Sequence, residues 1–93
     1  MVSNQDRFSI EKASIFPNPV KRIATIDLDL KESGHTTFEV FNGLGQRVYW
    51  DDKGNLSEGN YKFDLQTTNF GTGLYFLKIK SGEKQKVLKF IKL

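Results

Sequence analysis

The chain has 93 residues, of which 38% are hydrophobic, 27% charged and 13% aromatic, and it has no cysteine. These values indicate a single folded domain, and the absence of cysteine excludes disulfide bonds and thiolate metal sites. The sequence contains no apolar run long enough to span a bilayer. The net charge of +3 comes from dispersed lysines, which favours solvated strand faces over a nucleic-acid interface.

Alternating apolar and polar residues predict β-strands and almost no helix. The first two strands are predicted at Phe8–Phe16 and Arg22–Leu30, with a turn or an edge segment around Pro17–Pro19 between them. A turn at Glu32–His35 then leads into a third predicted strand, Thr36–Asn42.

The second half of the chain continues this pattern. Gln46–Trp50 is predicted to form a hairpin with the preceding strand through the glycine-bearing loop Gly43–Gly45. The next segment, Asp51–Gly59, is predicted to be a polar loop. The remaining predicted strands are Asn60–Leu65, Leu74–Lys80 and Gln85–Leu93. Seven short strands at this spacing predict an all-β fold, an antiparallel β-sandwich of immunoglobulin-like type.

The last predicted strand is apolar on both faces. Leu88 and Phe90 lie on one face, and Val87, Ile91 and Leu93 lie on the other. Such a strand is usually covered on both sides or offers one side to a partner.

No set of residues in the sequence predicts catalysis, and we expect no enzyme activity, metal or cofactor. The lone histidine, His35, falls in a turn and has no second histidine or cysteine as a co-ligand. Asp27 and Asp29 share a strand face about 7 Å apart, where solvated carboxylates are favoured over acid–base chemistry. Asp51–Asn55 lacks the acidic spacing of a calcium loop, so a turn is favoured over a weak calcium site.

Tyr49 and Trp50 are the candidates for an aromatic ligand platform. Alternation predicts that one side chain points into the core and the other points outward. A core aromatic with a loop cover is favoured over a carbohydrate-binding surface, which stays open as an alternative.

Four segments occur in an order that resembles the C-terminal sorting domain of type IX secretion cargo in Bacteroidetes. They are IFPNPV (residues 15–20), FEVFNGLGQRVY (38–49), GTGLYFLKIKSGEK (71–84) and LKFIKL (88–93). In that family a Pro-Asn-Pro block opens the domain, a Gly-x-Tyr strand follows later, and a basic, apolar strand ends the chain. The resemblance covers about residues 15–93.

The resemblance implies an immunoglobulin-like sandwich that acts as an address label on a larger cargo protein. The cargo passes through the periplasm to the outer-membrane type IX machinery, and a sortase-like protease usually cleaves near the start of the domain. The cargo then reaches the cell surface or the medium. The residues expected to be recognised by the translocon are Pro17, Asn18, Pro19, Gly73, Tyr75, Lys86, Leu88, Lys89, Phe90, Ile91, Lys92 and Leu93.

The N-terminal residues fit this fragment interpretation. Residues 1–9 lack the charged start and apolar middle of a secretory signal. We expect residues 1–7 to be a linker from a longer protein, residues 8–93 to be the sorting domain, and the cargo domains to precede it. Direct membrane insertion is not expected.

The terminal strand suggests two ways to contact a receptor. Its backbone edge could accept an added strand, and Lys86, Lys89 and Lys92 could steer it toward an acidic surface. The alternatives to a sorting domain are a carbohydrate-binding module and a structural accessory module that stabilises a neighbouring domain of a secreted enzyme.

Overall fold

The computed structural model describes residues 10–93, which form seven β-strands in two antiparallel sheets. The strands are β1 (Lys12–Phe16), β2 (Ile23–Leu30), β3 (Gly34–Asn42), β4 (Arg47–Leu56), β5 (Gly59–Gln66), β6 (Gly73–Ser81) and β7 (Lys84–Lys92). The predicted all-β sandwich is therefore confirmed. The linker predicted at residues 1–7 and the first two residues of the strand predicted at Phe8–Phe16 lie outside the described residues, and β1 begins at Lys12 rather than including Ile10 and Glu11. Within residues 10–93, no helix is long and apolar enough to cross a membrane.

The three-stranded sheet has the order β1-β2-β5, and the four-stranded sheet has the order β4-β3-β6-β7. In the constant-type immunoglobulin sandwich, the fourth strand lies beside the fifth. Here β4 lies beside β3 instead, because the residues between them form a tight turn. The Asn42 carboxamide oxygen accepts hydrogen bonds from the backbone N–H groups of Leu44 and Gln46, both at 3.0 Å.

The prediction of a polar loop at Asp51–Gly59 is wrong, because β4 continues to Leu56. The polar residues belong to an edge strand, where inward charges limit unwanted pairing. Asp51 forms a 2.7 Å ion pair with Lys53, and the Lys53 ammonium lies 4.7 Å from the centre of the Phe63 ring. Asp51 and Lys53 therefore both have partners at this edge of the sandwich.

The predicted turn at Glu32–His35 is shorter than expected, because β3 already begins at Gly34. Gly34 lies against the turn between β6 and β7. A Cβ atom at this position would stand 2.9 Å from the backbone nitrogen of Gly82.

The core lies between the two sheets and is built from their alternating inward residues. Its largest fully buried side chains are those of Phe38, Phe90, Ile26, Leu28, Leu65, Leu77, Ile79, Val20 and Val40. The clean alternation in β2 is thus explained by one face packing on the core and the other facing water.

Candidate functional site

The Pro-Asn-Pro segment contacts the outer edge of β7. The carboxamide of Asn18 acts there as a substitute peptide group. Its Nδ2 donates to the carbonyl of Lys89 at 3.3 Å, and its Oδ1 accepts from the backbone N–H of Ile91 at 3.0 Å. A single side chain therefore satisfies one acceptor and one donor on the strand's open side.

The backbone of Val20 continues this contact. Its N–H donates to the carbonyl of Ile91 at 2.8 Å, and its carbonyl accepts from the N–H of Leu93 at 2.9 Å. Together, Asn18 and Val20 form what we call the clasp on β7. The clasp occupies the strand edge between Lys89 and Leu93, so strand addition by a partner over this stretch would first have to displace it.

The chain also contacts β7 near its start, where the N–H of Ile10 donates to the carbonyl of Gln85 at 3.0 Å. Between Ile10 and Val20, β1 leaves this edge and pairs with β2 in the other sheet. The N-terminal segment therefore joins the two sheets at the side of the sandwich where β7 lies.

The two prolines of the motif are exposed and line a groove together with Lys21, Arg22 and Ile23. The third predicted recognition residue of this segment, Asn18, belongs to the clasp. Asn18 itself is largely exposed, but both polar atoms of its carboxamide bond to β7.

The Gly-x-Tyr segment forms a tyrosine corner at the start of β6. The Tyr75 hydroxyl donates to the carbonyl of Gly71 at 2.6 Å, four residues upstream. This arrangement is a feature of immunoglobulin-like sandwiches. The buried Tyr75 ring stacks on Phe70 at 5.1 Å and on Phe90 at 5.6 Å. Gly73 has φ +154°, a conformation that side chains rarely adopt, so the motif's glycine is also needed by the fold.

The terminal strand has one buried face and one exposed face. Phe90 is fully buried and Leu88 packs against the core. Val87, Ile91 and Leu93 point outward and are 52%, 45% and 54% exposed. Of the two apolar rows predicted in the sequence, the second is therefore the one that a partner of the folded domain can reach.

The three lysines proposed for steering differ in their surroundings. Lys89 is exposed and Lys86 is half-buried, but Lys92 is only 7% exposed. The Lys92 ammonium donates hydrogen bonds to the carbonyls of Lys21 and Leu93. It holds the end of β7 against the segment after Pro19, so Lys89 is the one of these three lysines whose side chain is exposed to a partner.

Sequence reasoning missed a group of outward-facing apolar residues beside Val87 and Ile91. Phe41 on β3 lies directly opposite Phe76 on β6, and Leu74 lies opposite Ile91. The signal was present, because Phe41, Leu74 and Phe76 are apolar at positions where alternation with the core residues requires an outward side chain.

Trp50 belongs to the same outer face and is 51% exposed, whereas Tyr49 packs against the core. The predicted split of these two aromatics into one inward and one outward side chain is therefore confirmed. The Tyr49 hydroxyl donates to Asp51 at 3.2 Å, and burial, followed by the Asp51 charge, raises the pKa of Tyr49.

The other polar candidates form surface pairs. His35 Nε2 lies 2.8 Å from Asp52 Oδ1. Asp27 accepts a 2.9 Å hydrogen bond from Asn60 and lies 3.5 Å from the ammonium of Lys62. Within residues 10–93, no group of three or more His, Cys, Asp or Glu residues is placed to hold a metal ion.

These features define a small β-sandwich domain whose terminal strand is held by the Pro-Asn-Pro segment and whose Gly-x-Tyr segment packs against that strand. The family model described as the secretion system C-terminal sorting domain matches residues 14–93, and the chain belongs to this type IX secretion family. A comparison with curated proteins gives no match. Membership implies interaction with the type IX secretion machinery and export toward the cell surface or the extracellular space. The family is a sorting-signal family and not an enzymatic one.

Proposed function

We propose that the folded domain is the export signal of a larger cargo protein, which passes through the periplasm and leaves the cell through the type IX outer-membrane translocon. A sortase-like protease then cleaves near the start of the domain, and the cargo is released or anchored at the surface. The main support is that the Pro-Asn-Pro and Gly-x-Tyr segments of the family, which are far apart in the sequence, both contact the terminal strand in this fold.

Burial divides the proposed recognition residues into two groups. Tyr75, Phe90 and Lys92 are buried and build the domain. Lys89 and Ile91 lie on its surface, where a receptor that binds the folded domain could contact them. We therefore assign the buried group to presenting β7 in a fixed shape, and the exposed group to contact with the translocon.

The test fuses residues 1–93 behind a periplasm-directed fluorescent protein in a host that carries the machinery. Export of the fluorescence supports the proposal, and retention between the two membranes contradicts it. Deleting residues 89–93 should abolish export, although this deletion also removes the buried Phe90 and the partners of the clasp. Failure of the deleted chain therefore does not separate loss of recognition from loss of folding.

A sharper variant for the steering charge is Lys89→Glu, because Lys89 is exposed and the change leaves the core intact. The matched control is Lys12→Glu, an exposed lysine on β1 in the other sheet. Lower export for Lys89→Glu alone supports a contact with an acidic surface. Equal export of both variants contradicts steering by this residue.

Carbohydrate binding is the second candidate, because the half-exposed Trp50 ring lies on a sheet face as stacking on a sugar requires. Retention of the isolated domain on an insoluble glycan, lost on Trp50→Ala, would support it. Absence of retention would contradict carbohydrate binding and leave the sorting function as the remaining candidate.

A further inference from the structure

The outer side of the four-stranded sheet carries apolar side chains on all four of its strands. We call this set the outer apolar face, and it consists of Phe41, Trp50, Leu74, Phe76, Val87 and Ile91. In the strand register Phe41, Phe76, Leu74 and Ile91 are neighbours, whereas Glu39 and Lys78 stand between Trp50 and Val87. Phe41 lies opposite Phe76 on neighbouring strands, and Leu74 lies opposite Ile91 one step further along.

The opposite side of the sandwich differs in composition. The outward residues in the middle of the three-stranded sheet are polar: Ser14, Thr25, Asp27, Asp29, Lys62 and Asp64. Exposed apolar side chains occur on that sheet at one end only, with Phe16 at 44% and Ile23 at 47% exposure. A solvated antiparallel sheet has a polar outer side, so apolar side chains on the outer side of all four strands mark a surface that binds a partner.

The charges around the outer apolar face are mainly positive. Lys78 lies between Glu39 and Val87 in the cross-strand register, and Lys89 lies opposite Phe76. Arg47 bonds to Glu39 at 3.1 Å and so neutralises the carboxylate on this face. Neither Lys78 nor Lys89 forms a salt bridge with any of residues 10–93. The face therefore combines an apolar cluster with ammonium groups that form no salt bridge within residues 10–93.

We propose that the outer apolar face is the surface through which the folded domain docks on a protein of the export machinery. This proposal rests on the sorting function proposed above. The partner surface is apolar at its centre and carries carboxylates where Lys78 and Lys89 arrive. Charge complementarity selects this occupant, because a second copy of the chain would bring the same positive face against itself. The aromatic side chains at its centre are of the kind that dominates binding energy in protein interfaces.

The face is continuous with the terminal strand, since Val87, Lys89 and Ile91 all belong to β7. The clasp occupies the backbone edge of β7 near its end, but it leaves the outward side chains of this strand exposed. Docking through side chains therefore requires no unpairing of the clasp, whereas strand addition at the same place does.

The test compares two multiple variants in the reporter fusion that carries residues 1–93. The first is Trp50→Thr/Val87→Thr/Ile91→Thr, in which three exposed positions receive a residue that suits β-strands. The control is Ser14→Thr/Lys62→Thr/Asp64→Thr, which places the same residue at three exposed outward positions of the other sheet. Both purified domains should keep the unfolding transition of the unaltered chain.

We expect the triple variant to lower the export rate about tenfold or more, and the control to stay close to the unaltered chain. Normal export by a folded triple variant overturns the docking role alone. Failure of the unaltered chain to export the reporter overturns the sorting function, and the docking role falls with it. The two failures are therefore distinguishable.

A photo-crosslinking amino acid at position 87 identifies the contact directly, with position 25 on the opposite sheet as the control. A crosslink to one protein of the machinery at position 87 alone supports the proposal. Equal crosslinking from both positions, or none from position 87 in exporting cells, overturns it.

Two further measurements separate the other possible occupants. Sedimentation of the isolated domain is expected to show a monomer, and a dimer that the triple variant dissolves would overturn the proposal in favour of self-association. Vesicles of phosphatidylcholine with phosphatidylglycerol are expected to bind the unaltered and triple-variant domains equally weakly. Binding lost in the triple variant would overturn the proposal in favour of a lipid surface.

Discussion

The side chain of Asn18 and the backbone of Ile91 are hydrogen-bonded at 3.0 Å, although 73 residues separate them in the chain. The same carboxamide also bonds to the carbonyl of Lys89. One residue of the first motif thus contacts the last motif and joins the two ends of the described chain. This relationship leads directly to the first prediction.

Asn18→Ala removes both hydrogen bonds to β7 and should lower the free energy of unfolding by about 0.5–1 kcal/mol, because both bonds lie at the exposed surface and water replaces part of them. The measurement is urea unfolding followed by circular dichroism. Asn55→Ala is the matched control, since Asn55 is exposed on β4 and its side chain forms no hydrogen bond with residues 10–93. The same unfolding midpoint for the two variants would show that the Asn18 side chain adds nothing to stability.

The backbone path of the strands could be predicted to a large extent from periodicity. Ile23–Leu30 alternates without interruption because one of its faces is buried and the other is wet. The continuation of β4 through Asp51 and Lys53 could not be predicted this way. Those two residues are polar inside the strand, and they are stabilised by each other and by the Phe63 ring, which lies on another strand.

The site was predicted only in part, for a related physical reason. The resemblance selects Asn18, Tyr75 and Lys92, but the sequence gives no sign that they act by holding β7 in place. Each of these contacts joins residues that are far apart in the chain, so no local pattern records it. Which apolar row of β7 faces outward depends on its pairing with β6, and this is fixed by the core.

Tyr75→Phe should lower the free energy of unfolding by about 1 kcal/mol, because it removes the bond to the Gly71 carbonyl and keeps the ring stacking. The control is Tyr61→Phe, where the lost bond to the Ser57 carbonyl lies at the exposed surface and water can replace it. Calorimetric unfolding of the three proteins checks the prediction. An equal loss of unfolding free energy in both variants would mean that the tyrosine-corner bond stabilises the fold no more than the exposed bond of Tyr61.

Gly34→Ala should destabilise the domain by about 1–3 kcal/mol, since the added methyl group meets a backbone atom that cannot move aside easily. Its Cβ would lie 2.9 Å from the nitrogen of Gly82, inside any normal contact distance. Gly43→Ala is the control, because its nearest neighbour, the Leu74 carbonyl, stands at 3.7 Å. Thermal unfolding midpoints measure the difference, and an unchanged midpoint for Gly34→Ala would contradict the close approach of the two turns.

The pKa of Asp52 should depend more on its hydrogen bond from the Gly54 backbone than on His35. The N–H of Gly54, bonded at 2.7 Å, and secondarily His35 hold the pKa of Asp52 below its ordinary value. A lowered folded-state pKa adds stability that is complete above the unfolded pKa and is lost as the pH falls through the folded one. In His35→Ala, we expect the pKa to rise but to stay below the ordinary value. Carboxyl-carbon NMR titration of both proteins checks this, and a return to the ordinary value would assign the whole effect to His35.

Lys92→Met should separate the structural lysine of the terminal strand from the exposed one. Methionine keeps most of the buried side-chain volume but loses the hydrogen bonds from the ammonium to the Lys21 and Leu93 carbonyls. We expect the free energy of unfolding to fall by about 1–3 kcal/mol, because bonds from a charged donor are lost in a nearly buried position. Lys89→Met, at an exposed position, should change it by less than about 0.5 kcal/mol.

The two variants should rank in the opposite order when their export rates are compared in the folded state. At a temperature where both variants are folded, Lys92→Met should export the reporter at close to the rate of the unaltered chain, because its ammonium is not available to a receptor in the folded domain. Lys89→Met should export more slowly, since it removes an exposed charge beside Phe76. Slow export by a fully folded Lys92→Met protein, with Lys89→Met unaffected, would contradict this division, because the translocon would then be contacting a residue that the folded domain keeps buried.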